Sequence, residues 1–157
     1  MEPDLGRSLH ALTARLDRAA DAILRAEADL SYSRFLALYM IGSWGAETQR
    51  ALAERLGVTE PSVSRMTRVL AEAGLLEAVA DPAGGNRRQL RLTPTGEQLV
   101  KRWGRRLEQR TAELVDGAGV PYRTYVEYTK RLLEGLEAQE AAASKRPGAA
   151  VTAPLAG

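Results

Sequence analysis

The sequence predicts a mainly α-helical fold, and three observations support this prediction. Aromatic residues make up only 5% of the 157 residues and hydrophobic residues 45%, so a globular core must consist mostly of Leu, Ala and Val. Large apolar residues near the N-terminus recur at alternating steps of four and three, as in a helix that packs against another helix. The segment from Gln49 to Arg68 has the spacing of two short helices joined by a tight turn. A chain of this length corresponds to about one domain.

The segment from Gln49 to Arg68 is typical of a helix-turn-helix. Its first helix ends at Leu56, where Gly57 can adopt the left-handed conformation that closes a helix. Thr59 can accept a hydrogen bond from the amides that open the second helix. Pro61 is tolerated there because amides in a first turn have no intrahelical partner.

The second helix of this motif is predicted to have one buried and one exposed face. Val63, Met66 and Leu70 are spaced three and four apart and form a single apolar stripe. The polar residues then face outward: Ser62, Ser64, Arg65 and Arg68. An exposed surface of small hydroxyls and guanidinium groups suits a DNA groove.

Further helices are predicted on both sides of the helix-turn-helix. They cover about residues 4–29, Ser31 to Trp44, Thr93 or Thr95 to about Val115, and Tyr122 to about Glu140. We expect Gly42 and Gly45 to close the second of these helices. Residues 141–157 contain almost no large apolar groups and are expected to be disordered.

A β-hairpin is predicted between the helix-turn-helix and the long helix that follows. Two extended segments, 75–81 and 87–93, flank a Gly-rich turn that carries Arg87 and Arg88. The complete pattern predicts a winged helix-turn-helix over about residues 31–100, with the hairpin as its wing.

The helices outside the winged unit carry two long apolar seams. One runs from Leu5 to Ile23, and the other includes Leu132, Leu133 and Leu136. A domain of this size cannot bury both, so a second copy of the chain is the simplest partner. Taken alone, the first seam is equally consistent with an amphipathic helix on its own core. A two-fold dimer would present two second helices to successive major grooves.

The basic charge is concentrated around the helix-turn-helix. The whole chain has a formal charge of only +2. Residues 49–106 hold 11 Lys and Arg against 6 Asp and Glu, a net charge of +5, and the remainder holds 11 against 14, a net charge of −3. This distribution is what a polyanionic partner such as double-stranded DNA requires.

Several classes of protein are disfavoured by what the sequence lacks. It has no cysteine, which excludes disulfides, cysteine-ligated zinc and thiol redox sensing. Its single histidine, His10, cannot by itself supply a zinc centre or a Ser-His-Asp triad. No Gly-rich phosphate loop or carboxylate pair is evident, so we expect neither an enzyme nor a cofactor or metal. No apolar run is long enough to span a bilayer, and we expect a cytoplasmic protein without a membrane partner.

The chain resembles the MarR family of bacterial transcription regulators. The matching segments are LAERLGVTEPSVSRMTRVLAEAGLL, residues 52–76, and NRRQLRLTPTGEQLV, residues 86–100. The resemblance covers about residues 4–140 and makes 1–140 one MarR-like domain. It implies an obligate homodimer of triangular shape, with dimerisation helices at about 4–29 and 94–140. It further implies that the winged unit of each subunit reads a palindromic operator, as a repressor of neighbouring genes would.

Two departures from the family pattern concern the wing and the signal. Members commonly carry an aspartate before the paired wing arginines, where this chain has Asn86, so the orientation of the wing is left open. Members that sense oxidants usually do so through cysteines, and this chain has none. The signal implied is therefore a small molecule, if there is one.

The resemblance and the helix geometry together assign DNA contacts. Ser62, Ser64 and Arg65 are assigned to base edges in the major groove. Contacts to phosphates, which fix register, are assigned to Thr48, Gln49, Thr59 and Arg68. Arg87 and Arg88 are assigned to a minor groove, since narrow A·T-rich segments attract arginine. The alternative to these DNA contacts is that the helix residues form an ordinary solvated surface and that Arg87 and Arg88 lie in a solvated turn.

Effectors in the family often bind between the dimerisation helices and the DNA-binding unit. In this chain that region would involve His10, Tyr32, Tyr39, Trp44 and Trp103, which could equally be core residues. An alternative function is a winged-helix module that binds protein and no DNA. The outward face from Ser62 to Arg68 disfavours it, because protein interfaces prefer aromatic anchors.

Overall fold

The structure is a computed structural model that describes residues 4–43, 48–80 and 88–144. These ranges contain α1 (Leu5–Ala28), α2 (Tyr32–Ser43), α3 (Gln49–Leu56), α4 (Glu60–Glu72), β1 (Leu76–Ala80), β2 (Arg88–Leu92), α5 (Pro94–Gly117) and α6 (Tyr122–Ser144). The predicted winged helix-turn-helix is confirmed. Residue contacts divide the chain into two units, one ending at Glu108 and the other beginning at Gln109.

The first unit has a continuous aliphatic core. Its fully buried side chains are Leu24 from α1, Leu38 from α2, Leu52 from α3, and Val63 and Leu70 from α4. Leu76 and Leu90 from the two strands, with Val100 and Trp103 from α5, complete the cluster. Each large side chain withdrawn from water contributes roughly 1.5–3 kcal/mol of transfer free energy. The helix-turn-helix thus shares one hydrophobic core with the other helices and strands of the first unit.

The wing strands pair antiparallel in a register that places buried Leu76 and Leu90 on the same face. Leu76 lies opposite Leu92, and Ala78 lies opposite Leu90. The register also places Glu77 opposite Arg91 on the face that alternates with buried Leu90. The predicted turn residues Asn86 and Arg87 lie outside the described residues.

The start of α5 fixes the wing to the end of α4. Thr93 Oγ1 accepts a hydrogen bond from the Gly96 amide at 3.1 Å and donates one to the Gly74 carbonyl at 2.6 Å. Thr93, rather than Thr95, is therefore the cap of this helix. A Cβ on Gly96 would overlap the carbonyl oxygen of Leu75, so the helix can approach this backbone only with glycine there.

The helix boundaries correct two predictions. Gly42 lies inside α2, which ends at Ser43, and does not close the helix. It packs against β2, because a Cβ there would meet Leu92 Cδ1. Gly45 lies outside the described residues. At the other end of the chain, α6 continues to Ser144, beyond the predicted Glu140, through a run of alanines that favours helix. Disorder was predicted for residues 141–157; it is wrong for 141–144, which belong to α6, and residues 145–157 lie outside the described residues.

The second unit consists of the last turns of α5, a turn at Gly119 and α6. Gly119 has φ +72° and closes α5 in the left-handed region. No residue of α6 is buried, and four large side chains are 52–58% exposed: Tyr128, Leu132, Leu133 and Leu136. The predicted apolar face of this helix is therefore open to solvent in a single copy. No helix in the described ranges is long and apolar enough to cross a membrane.

Candidate nucleic-acid interface

The second helix of the helix-turn-helix, α4, is called the recognition helix below. It begins with a side-chain cap. Thr59 Oγ1 accepts a hydrogen bond from the Ser62 amide at 3.4 Å, as the sequence predicts. Glu60 in the first turn complements the positive end of the helix dipole, and Pro61 occupies a position that needs no amide donor. Gly57 closes α3 with φ +65°, which sets the tight turn between the two helices.

One face of α4 is anchored in the core. Val63 and Leu70 are fully buried and Met66 is half-buried, so the predicted stripe is confirmed. Thr67 is also buried, at 3% exposure, and was missed by the sequence analysis. Its Oγ1 donates to the Ser64 carbonyl at 3.2 Å and accepts from Gln49 Nε2 at 3.4 Å. The missed signal is its spacing, four residues after Val63 and three before Leu70.

The opposite face of α4 carries the predicted base-reading residues. Ser64, Arg65 and Arg68 are exposed, whereas Ser62 is half-buried. Arg65 Nη2 donates a hydrogen bond to Ser62 Oγ at 3.2 Å. The guanidinium of Arg65 is therefore already held at the N-terminal end of the recognition helix.

Two of the predicted phosphate contacts are helix caps, and the other two are exposed side chains. Thr48 caps α3 and accepts from the Ala51 amide at 3.0 Å, and Thr59 caps α4, so both hydroxyls have partners within the protein. Gln49 is exposed and is linked to α4 through its hydrogen bond to Thr67. Arg68 is exposed on the outer side of α4.

The described part of the wing carries two exposed arginines. Arg88 is the first residue of β2, and Arg91 lies on the outer face of the same strand. Arg91 Nη2 donates to Gln89 Oε1 at 3.2 Å. Arg91 was not among the predicted site residues, although its position next to buried Leu90 in a two-residue period predicts an outward side chain. Arg87 lies outside the described residues.

The positive charge of this surface is not neutralised within the protein. Within residues 4–43, 48–80 and 88–144, the guanidinium groups of Arg65, Arg68 and Arg88 lie in no ion pair with a carboxylate. Arg50, in contrast, pairs with Glu54 at 3.1 Å, and this hydrogen bond raises the pKa of the Arg50 guanidinium. Unpaired guanidinium groups are available to replace the counterions of a polyanion.

The predicted effector residues lie on different elements of the first unit. Tyr32 and Tyr39 are half-buried on α2, Trp103 is buried on α5, and His10 is exposed on α1. Trp44 lies outside the described residues. Burial, followed by the nearby Asp17 carboxylate, raises the pKa of the Tyr32 hydroxyl.

Part of this set is brought together by aromatic packing. Phe35 lies between the two tyrosines, with ring centroids 6.4 Å from Tyr32 and 6.1 Å from Tyr39. Tyr39 Cε2 lies 3.9 Å from the Cβ position of Gly104, the residue after Trp103. Tyr39 therefore lies beside α5, and Phe35 links it to Tyr32.

A cavity of about 310 Å³ lies at the joint between α1 and α2. Its lining is mostly polar and charged: Arg25, Asp29, Leu30, Ser31, Ser33 and Arg34. None of the four predicted effector residues that the structure describes, His10, Tyr32, Tyr39 and Trp103, lines it. In the described ranges, no group of three or more His, Asp or Glu side chains is placed to hold a metal ion.

These features define a winged helix-turn-helix with an unpaired cationic surface on its recognition helix. The model of the MarR family matches residues 30–89 of the chain, and the resemblance found in the sequence is confirmed. Among curated proteins, none matches the sequence.

Solved structures of MarR-family proteins share the fold. The Multiple Antibiotic Resistance Repressor, MarR, is 22% identical with a TM-score of 0.72, over 87% of this chain and 96% of that chain. MepR of Staphylococcus aureus in complex with DNA is 20% identical with a TM-score of 0.65, over 88% and 99%. The Mycobacterium tuberculosis MarR family protein Rv2887, in complex with p-aminosalicylic acid, is 26% identical with a TM-score of 0.66, over 86% and 99%.

Proposed function

We propose that this protein is a transcription regulator that binds a specific DNA sequence, acting as a homodimeric repressor of a palindromic operator. The observation that carries this proposal is the two-sided recognition helix. Val63 and Leu70 anchor α4 in the core, while Ser64, Arg65 and Arg68 project from it without carboxylate partners. The MepR structure with DNA supports the same use of the fold.

Arg65 is the proposed base-reading residue. An arginine in the major groove can donate two hydrogen bonds to a guanine, and each such pair contributes roughly 1–3 kcal/mol of discrimination. Arg68 and Arg88 contact phosphates or a minor groove, where they add affinity with little base preference. Their positions on α4 and β2 fit this division of roles.

The experiment that tests the proposal is selection of bound sequences from a random DNA pool. A MarR-like regulator selects an inverted repeat, and its affinity for that repeat falls steeply with salt because each phosphate contact releases counterions. A protein-binding winged-helix module selects no sequence and gives a flat salt response. The DNA beside the gene should contain the selected repeat.

A second copy of the chain is the proposed dimer partner. Leu5, Leu9 and Leu12 are exposed at the start of α1, and α6 buries none of its residues. Exposed apolar side chains on each of these helices support an interaction site. Light scattering at micromolar protein concentration should give the mass of two chains, and the mass of one chain would contradict the dimer.

The proposal also includes the release of DNA when a small molecule binds. Its support is the complex of Rv2887 with p-aminosalicylic acid. The half-buried tyrosines of α2 and Trp103 are the side chains proposed to contact an aromatic effector. Addition of p-aminosalicylic acid to the preformed operator complex, followed by fluorescence anisotropy, tests release, and unchanged affinity at saturating acid would exclude this compound.

A further inference from the structure

We propose that Ser62 is a positioning residue that holds Arg65 in its base-reading conformation. The inference rests on the proposed function, because it concerns how the recognition helix discriminates DNA sequences. It reassigns Ser62, which the sequence analysis treated as a direct groove contact.

A short chain of hydrogen bonds runs along the start of α4. Arg65 Nη2 lies 3.2 Å from Ser62 Oγ, and Ser62 Oγ lies 3.0 Å from Thr59 Oγ1. Because a guanidinium can only donate, Ser62 Oγ accepts from Arg65, and its own O–H can donate a hydrogen bond to Thr59 Oγ1. Thr59 also accepts from the Ser62 amide at 3.4 Å, so the end of the chain is fixed by the helix cap.

Burial separates Ser62 from its neighbour Ser64. Ser62 is half-buried between the cap and Arg65, whereas Ser64 is exposed. Among the described residues, the hydroxyl of Ser64 has no hydrogen bond, and only its backbone carbonyl is engaged, by Thr67. The two serines are therefore different in kind, although both lie on the outer half of the helix.

This hydrogen bond restrains Arg65 before DNA arrives. Arginine is long and flexible, and binding must otherwise restrict its rotamers at the moment of contact. One N–H of the fork is used by Ser62, and the guanidinium has five, so four remain, of which a guanine needs two. Restraint by Ser62 therefore favours the bound conformation without competing with the base.

The expected effect of Ser62→Ala is a loss of sequence discrimination. We expect the preference for the base pair read by Arg65 to fall by about two- to tenfold per half-site, the size of one intramolecular hydrogen bond. Ser62→Thr keeps a hydroxyl and should restore most of the preference. Thr13→Ala is the control: it removes an exposed hydroxyl from α1, outside the recognition helix, and should leave the preference at that base pair unchanged.

The experiment compares wild type, these variants and Arg65→Ala by selection from a random pool, followed by anisotropy on the selected operator and on its single-base variants. Thermal unfolding of each variant verifies that all are folded. In the Arg65→Ala background, Ser62→Ala should cause no further loss of preference, because a positioning residue acts only through its partner.

Three results distinguish the possibilities. If wild type selects no sequence, the proposed function itself fails. If wild type selects an operator and Ser62→Ala keeps full discrimination, the positioning role is wrong while the function stands. If Ser62→Ala still reduces discrimination when Arg65 is already alanine, Ser62 contacts a base directly and the positioning role is equally wrong.

Discussion

The recognition helix α4 and the last helix α6 have similar apolar spacing, but only α4 has buried residues. In 13 residues, α4 buries Val63, Thr67 and Leu70 against its own unit. In 23 residues, α6 buries none, and its leucines remain exposed. Helical periodicity thus identifies a face that must be covered, but it does not say which molecule covers it. The first unit supplies its own cover for α4, and α6 is suited to a partner.

The largest expected effect comes from comparing a leucine substitution in the core of the first unit with one on the exposed face of α6. Leu52→Ala, in the fully buried core, should lower the free energy of unfolding by about 2–5 kcal/mol, because it creates a cavity. Leu133 is 54% exposed, so Leu133→Ala should instead weaken the proposed dimer. The variant should therefore dissociate into single copies at a higher protein concentration than wild type does. Urea unfolding at several protein concentrations and sedimentation measure both quantities. A concentration-independent loss of several kcal/mol in Leu133→Ala would mean that α6 is covered within its own chain.

A smaller effect is expected where the wing joins α5. Gly96→Ala places a methyl group on the Leu75 carbonyl and should destabilise the protein by roughly 1–3 kcal/mol, the range for overpacking. Gly104→Ala, in the same helix, meets only Tyr39 Cε2 at 3.9 Å. That control should be neutral or stabilising, because alanine is the better helix former. Equal losses in the two variants would contradict the close approach at Gly96.

The helix cap of α4 should contribute less again. Thr59→Ala removes the acceptor for the Ser62 amide and should lower stability by about 1 kcal/mol. Thr13→Ala, at an exposed position inside α1, is the control and should be neutral or slightly stabilising. Thermal unfolding of the two variants and of wild type measures these differences in stability. A Thr59 variant as stable as the Thr13 variant would show that the cap carries no measurable energy.

The local features of the winged unit were accessible from the sequence because short-range chemistry determines them. Gly57, Thr59 and Pro61 mark a turn whatever surrounds it, and the structure has that turn in the predicted place. Features that depend on another element were missed. The sequence alone did not give Gly42 its role against Leu92, or Thr67 its hydrogen bond to Gln49, because each requires knowing which element lies alongside.

The candidate site shows the same limit. The outward face of α4 followed from periodicity, and Arg65 and Arg68 lie on it as expected. The sequence did not separate Ser62 from Ser64, because their difference lies in the side-chain bond from Arg65 to Ser62 Oγ. The effector residues were chosen as aromatic or ionisable groups near one region, a criterion that does not require them to line one cavity.

The smallest expected effect concerns the joint between α1 and α2, where one carboxylate connects the two helices. Asp21 Oδ1 accepts from the Tyr32 amide at 2.8 Å, and Oδ2 accepts from Arg25 Nε at 2.6 Å. The Tyr32 amide, and next the Arg25 guanidinium, lower the pKa of Asp21 below its usual value of 3.8. Because the pKa is lower in the folded protein, this group stabilises the fold above about pH 4, and the contribution is lost as the pH falls through the folded pKa. Asp21→Asn keeps an acceptor for Tyr32 but removes the charge, so it should melt below wild type at pH 7. The gap in melting temperature should narrow as the pH is lowered from 5 to 3, since the unfolded chain then binds a proton at Asp21 more readily than the folded protein does. Calorimetry across this range measures the gap, and a difference that stays constant down to pH 3 would mean that the charge of Asp21 contributes nothing to the joint.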